Sequence, residues 1–146
     1  LGAMFVVMSI GSGFFNPERA RGISTYTTPN VVHAAGILIA CAVLLIPGLT
    51  RSVLAVMIGL GGIAGFIYVA VIGRRVWRRQ VDLDDRIWHA LVPPIAYATM
   101  VASAIMLAQR SGADFYVLAA SLIVLLVAVI RNAWDLIVFF ALRARD

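Results

Sequence analysis

The sequence predicts an all-α fold, a multi-pass transmembrane helix bundle of about five spans that forms a single domain. Three observations predict it. Of 146 residues, 62% are hydrophobic and 13% charged, with a mean hydropathy of +0.98, whereas soluble domains hold about 45–50% apolar and about 25% charged residues. The apolar residues gather into runs at 1–15, 29–49, 52–73, 87–108 and 115–142. Charges lie between these runs or at their ends, except Arg131 and Asp135, which fall inside the last one.

The first run begins at Leu1 and gives way to Gly11-Ser12-Gly13 and Asn16-Pro17, where glycine loosens a helix and proline stops it. At 1.5 Å per residue, residues 1–15 reach only about 22 Å against a hydrocarbon core of about 30 Å. The run is therefore expected to be the second part of a span that starts outside this sequence. A polar connection with Glu18, Arg19 and Arg21 leads to Thr28-Pro29, which predicts a helix start with threonine as N-cap and proline at the first position. His33, Gly36, Ala40 and Cys41 share a mostly small face on this second span, and Pro47-Gly48 closes it.

The third span carries Gly59, Gly61, Gly62, Gly65 and Gly73. Gly61 and Gly65 form a GxxxG pair, which predicts close helix packing within the bundle. Beyond it, Arg74, Arg75, Arg78 and Arg79 surround Trp77, followed by Asp82, Asp84, Asp85 and Arg86. The arginines and tryptophan read as an interfacial anchor, and the aspartates suit the N-terminus of the next helix. The fourth span holds Trp88 and His89 in its first turn and then Pro93-Pro94, a pair that removes two backbone donors and predicts a kink. Tyr97, Thr99 and Ser103 are its remaining polar groups. Single hydroxyls of this kind are expected to bond their own backbone. A turn around Gly112 precedes the fifth span.

The arginines set an orientation. Arg19, Arg21, Arg74, Arg75, Arg78, Arg79, Arg86, Arg143 and Arg145 fall on one side, and only Arg51 and Arg110 on the other. The richer side is expected to be cytoplasmic, with the C-terminus on it. In a soluble protein a net charge of +5 and a pI near 10.4 would suggest nucleic acid. Here the charge sits in loops flanking apolar runs, so lipid is the expected partner and nucleic acid is not.

Composition also excludes chemistry. Every basic residue is arginine, which rules out lysine nucleophiles and Schiff bases, and the single Cys41 permits neither an internal disulfide nor a cysteine cluster. There is no phosphate-binding glycine loop with lysine, no HExxH and no Gly-x-Ser-x-Gly nucleophile motif. No acidic residue occurs within the first four runs, so no chain of carboxylates can relay protons there. No catalytic residue and no metal ligand is assigned, and the expectation leans away from an enzyme.

What remains is one candidate polar cluster. Arg131 and Asp135 are four apart and share a helix face, with Asn132 and Trp134 beside them. Ionisable groups at membrane depth by default face the protein interior or a wet cavity. With His33 and His89 they fall in the cytoplasmic half of the bilayer in this topology, giving His33, His89, Arg131, Asn132 and Asp135. If the fifth span tilts, the pair lies below the interface, the favoured case; if it projects, the pair sits at the interface. The plainer readings are headgroup-level histidines, a self-neutralising pair that allows insertion, and Trp77, Trp88 and Trp134 as anchors.

In layout the chain resembles small uncharacterised bacterial integral membrane proteins. In these an Asn-Pro-Glu loop follows the first helix and an Arg-Asn-Ala-Trp-Asp stretch lies in the last. The matching residues are Asn16-Pro17-Glu18 and Arg131-Asn132-Ala133-Trp134-Asp135. The resemblance implies a bacterial inner membrane and carries no mechanism. The leading functional expectation is a non-enzymatic accessory or assembly component that packs as a homo-oligomer or within a larger membrane complex. The second is a small oligomeric transporter or channel using the polar cluster. The third is a redox subunit with haem held by His33 and His89; no cofactor is otherwise expected.

Overall fold

The computed structural model describes residues 17–77 and 87–143, together with Gly2. Among them the chain is all α, with four α-helices and no strand. Helix α1 is Pro17–Leu44 and α2 is Arg51–Trp77. A single π-helical turn, Ile87–Leu91, leads into α3, Val92–Ala108, and α4 is Asp114–Arg143. Of the expected spans, 1–15 lies outside the described residues.

Helix α1 starts earlier than the sequence suggested. The opening proline is Pro17, at a position whose N–H has no intrahelical acceptor to lose. Pro29 sits inside the helix, so Thr28 is not its N-cap. One interior proline removes one backbone bond, and α1 continues through it. The helix ends at Leu44 rather than near residue 49. Leu45 and Ile46 donate to the Ala42 and Val43 carbonyls at 3.2 Å each, and Gly48 takes a left-handed φ of 75° that turns the chain. Thr50 then caps α2, its hydroxyl accepting the Val53 N–H at 3.4 Å.

At Pro93-Pro94, where the sequence predicts a kink, the helix type changes. Pro93 occupies the first turn of α3, where missing donors are harmless, and Leu91 is the N-cap. Two consecutive absent N–H groups end one hydrogen-bond ladder, and the wider turn of Ile87–Leu91 precedes them. The irregularity at the proline pair is a change of helix type, from the π turn to the α-helix, and π turns are among the places where helices kink.

Helix α3 closes with a Schellman motif. Arg110 N–H bonds Leu107 O at 3.2 Å and Ser111 N–H bonds Met106 O at 3.0 Å. Arg110 takes the left-handed position, φ 58°.

Successive helices are joined at one end by the short turns 45–50 and 109–113 and run antiparallel to one another. Helix α3 packs most extensively on α2 and next on α4, while α1 lies against α4 and α2. The helices thus form a ring around Ile58, Leu107, Leu118, Leu125 and Ala128, all nearly inaccessible. Close approach of α2 to α3 depends on small residues. A Cβ at Gly62 would come within 2.9 Å of Val101 Cγ2, and one at Gly65 would overlap the Tyr97 ring. Gly61 is exposed, its nearest neighbour being Met100 Cε at 3.8 Å. The tight seam therefore runs through Gly62 and Gly65.

Two stretches, Arg51–Arg74 and Asp114–Asp135, are long and apolar enough to cross a membrane. Only 22% and 39% of their most apolar windows are buried within the chain. Val56, Leu60, Ile63 and Ile67 of α2 and Ile123, Val127 and Ile130 of α4 face outward. A core helix of a soluble protein would bury most of such a window, so this exterior points to a membrane location. Thr28–Leu44 and Val92–Ala108 are shorter apolar helices.

Candidate functional site

The polar interior is built around Tyr97. Its backbone is fixed on α3, its ring lies across the space left by Gly65 of α2, and its hydroxyl meets His33 Nδ1 of α1 at 3.0 Å. This contact crosses the ring of helices diagonally. A Cβ at Gly36 would stand 3.6 Å from the same hydroxyl, so a small residue on α1 leaves room for it. His33 is 3% exposed and its ring is enclosed by Tyr97, with centroids 5.6 Å apart, and by Tyr68 of α2, edge-on at 6.3 Å. Asn30, one turn before His33 and on the same face, is 1% exposed.

The other cluster members lie on α4. Asn132 is buried, whereas the Arg131 and Asp135 side chains are 39% and 44% exposed. Arg131 Nε stands 3.9 Å from Asp135 Oδ2, at the long edge of an ion pair, and the guanidinium lies over the Trp88 ring at 4.9 Å. The charges thus lie on the flank of α4, and the residue turned inward between them is Asn132. Trp88 makes a cation–π contact beyond its expected anchoring role. The His89 backbone belongs to the π turn. Its side chain lies outside the described residues, and so does any pairing with His33 through haem.

A third polar feature sits at the end that carries the short turns. Arg51 Nη1 donates to Asp114 Oδ2 at 2.9 Å. Asp114 Oδ1 accepts the Phe115 N–H at 2.8 Å, and Arg51 Cζ lies 5.5 Å from the Phe115 ring centroid. The carboxylate is 1% exposed and stands at the N-terminus of α4, where the helix dipole favours negative charge.

Sequence reasoning singled out neither the Arg51 and Asp114 pair nor Tyr68, Asn30 or the role of Tyr97. The hydroxyl rule holds for Thr99 and Ser103, which bond the Ile95 and Met100 carbonyls at 2.9 and 2.7 Å. It fails for Tyr97, whose hydroxyl stands at the far side of a rigid ring and cannot fold back on its own turn. A long phenol facing a glycine-bearing helix was the available signal.

Chemically the inner cluster offers hydrogen-bond donors and acceptors and one imidazole. Among the described residues no group of three His, Cys, Asp or Glu side chains could hold a metal ion. No protein-family model, curated protein or solved structure matches the chain.

Proposed function

We propose that the chain is a multi-pass protein of a bacterial inner membrane that works without catalysis, as an accessory or assembly component packed against itself or a larger partner. The observation that carries this reading is the small share of α2 buried by its own chain, 22% of its apolar window. Its outward Val56, Leu60, Ile63 and Ile67 require lipid or another helix. The short helices Thr28–Leu44 and Val92–Ala108 are near the lower limit of about 17 residues for a span. With residues 1–15 they complete five spans in the proposed topology, and the arginine asymmetry supports a cytoplasmic C-terminus.

The test combines topology with mass. Reporter fusions after Arg145 and within 109–113 should report opposite sides of the membrane. Light scattering in mild detergent should give an assembly heavier than the 15.7 kDa chain, and cross-linking through the exposed Cys41 should trap a self-assembled form if the partner is a second copy. Fusions on the same side, or a monomer in native lipid, overturn the reading.

A small oligomeric transporter is the second reading, favoured by the buried polar groups Asn30, His33, Tyr97 and Asn132 in an otherwise apolar bundle. Solute flux into liposomes that is lost on His33→Leu would move it ahead.

A further inference from the structure

The end of the bundle that carries the short turns shows only positive charge on its surface. In the turns 45–50 and 109–113 and the helix starts that follow them, the charged residues are Arg51, Arg110 and Asp114. Both arginines are exposed, whereas Asp114 is buried. The Arg51 guanidinium is held along one edge, where Nη1 donates to Asp114 Oδ2 at 2.9 Å, and it lies over the Phe115 ring at 5.5 Å. A guanidinium carries five N–H donors in a planar fork. Asp114 is the acceptor that Arg51 meets among the described residues, so the rest of the fork is open to an acceptor from outside the chain. The surface around it is apolar: Leu45, Ile46 and Val53, close to Arg51 in sequence, and Phe115 and Tyr116, next to Asp114, are all exposed. The two stretches long and apolar enough to cross a membrane begin at Arg51 and at Asp114. The pair therefore marks the edge of the apolar part of the bundle.

We propose that Arg51 takes the phosphate of an anionic phospholipid, whose apolar part lies along Phe115 and its exposed neighbours. The fork geometry of a guanidinium matches the oxygens of a phosphate, and such charge-assisted bonds are the stronger kind. Lipid phosphates stand just outside the hydrocarbon, the level at which Arg51 begins its apolar stretch. A soluble phosphate compound would leave Leu45, Ile46 and Tyr116 uncovered, and a lipid does not. The bond to Asp114 and the contact with Phe115 already hold the arginine side chain, so the lipid gains its bonds with little further ordering of a long side chain. Asp114 is the one opposing charge at this end, and it lies on the buried side of the guanidinium while Arg51 is 45% exposed. The proposal rests on the membrane location proposed above.

The test is thermal unfolding of the full chain in a neutral detergent, alone and with phosphatidylglycerol, diacylglycerol of the same chains, or glycerol 3-phosphate. Phosphatidylglycerol at about 100 times its Kd should raise Tm by roughly 5–10 °C, and the other two additions by less than about 1 °C. Arg51→Gln keeps a donor for Asp114 and removes the cation, so the lipid-induced rise should fall to less than half, whatever the Tm without lipid. Arg51→Lys keeps a charged partner for Asp114 and loses the fork, so the rise should fall there too, and this variant decides the matter if glutamine leaves the chain unfolded. Arg110→Gln removes the other exposed cation of this end and should keep the full rise. An equal rise with diacylglycerol would make the acyl chains the ligand, and an equal rise with glycerol 3-phosphate would make it a soluble phosphate; either overturns the proposal. So does a rise undiminished in the Arg51 variants, or one lost equally in Arg110→Gln, which would be general charge attraction. A chain that stays in solution without detergent removes the membrane location itself, whereas one that needs detergent and shows no rise overturns the lipid seat alone.

Discussion

Asp114 binds Arg51 through one carboxylate oxygen at 2.9 Å, while its other oxygen receives the next N–H of its own helix, that of Phe115, at 2.8 Å. One buried carboxylate thereby ties the start of α2 to the start of α4. The arrangement is asymmetric, since Asp114 is 1% exposed and Arg51 is 45% exposed. Arg51→Met leaves a buried charge behind and should approach the about 3–5 kcal/mol of a broken buried pair. Asp114→Asn keeps an acceptor for Phe115 and frees an arginine that reaches water, so it should cost about 1 kcal/mol. Denaturation of both variants in detergent checks the order, and equal losses would mean the carboxylate is not held as described.

The seam between α2 and α3 separates neighbouring glycines. Gly65→Ala forces a methyl into the Tyr97 ring and should destabilise by about 1–3 kcal/mol. Gly61→Ala puts a methyl in ordinary contact with Met100 Cε at 3.8 Å and should fall within about 0.5 kcal/mol of neutral. Adding Tyr97→Leu to Gly65→Ala should restore part of the loss, because the overlapping atoms are then gone. Thermal melts of the four proteins decide this, and equal sensitivity at both glycines would refute the seam.

Arg110 holds a left-handed backbone that glycine adopts without cost. Arg110→Gly should stabilise the chain by about 0.5–1 kcal/mol, the relieved strain being partly offset by the freer unfolded chain. A loss of stability instead would show that the arginine side chain contributes something the turn geometry does not reveal.

On α4 the ion pair is the weaker of two contacts. Asp135→Ala removes a partner 3.9 Å away at a half-exposed site and should cost about 0–1 kcal/mol. Trp88→Leu removes the surface beneath the guanidinium and should cost about 0.5–2 kcal/mol through the cation–π contact alone. A large loss for Asp135→Ala in lipid, with none for Trp88→Leu, would reverse this ranking.

The apolar runs made the helices legible because their length and composition are local properties. The last run, 115–142, matches α4 to within a residue at each end. Boundaries set by polar residues were less legible. Residues 17–28 have no apolar period to mark them as helix, and Pro29 reads as a start although it is interior. The polar contact around Tyr97 was legible only through His33. Its other members depend on which helices become neighbours: Tyr97 reaches His33 because α2 offers Gly65 in its path, and Asp114 meets Arg51 because two separate turns fall at one end. Such contacts join positions 63 or 64 residues apart, and no local pattern records them.

The π turn at Ile87–Leu91 controls phase. Trp88 and Tyr97 are nine residues apart, and in continuous α geometry they would point roughly half a revolution away from each other. A wider turn advances less per residue and changes that angle, so that Trp88 meets Arg131 on α4 while Tyr97 faces His33 across the bundle. The single wide turn works as a gear offset between two recognition faces of one helix. Removing one residue from it would rotate everything before Leu91 about the axis of α3, leaving Tyr97 in place and swinging Trp88 away from the guanidinium it supports.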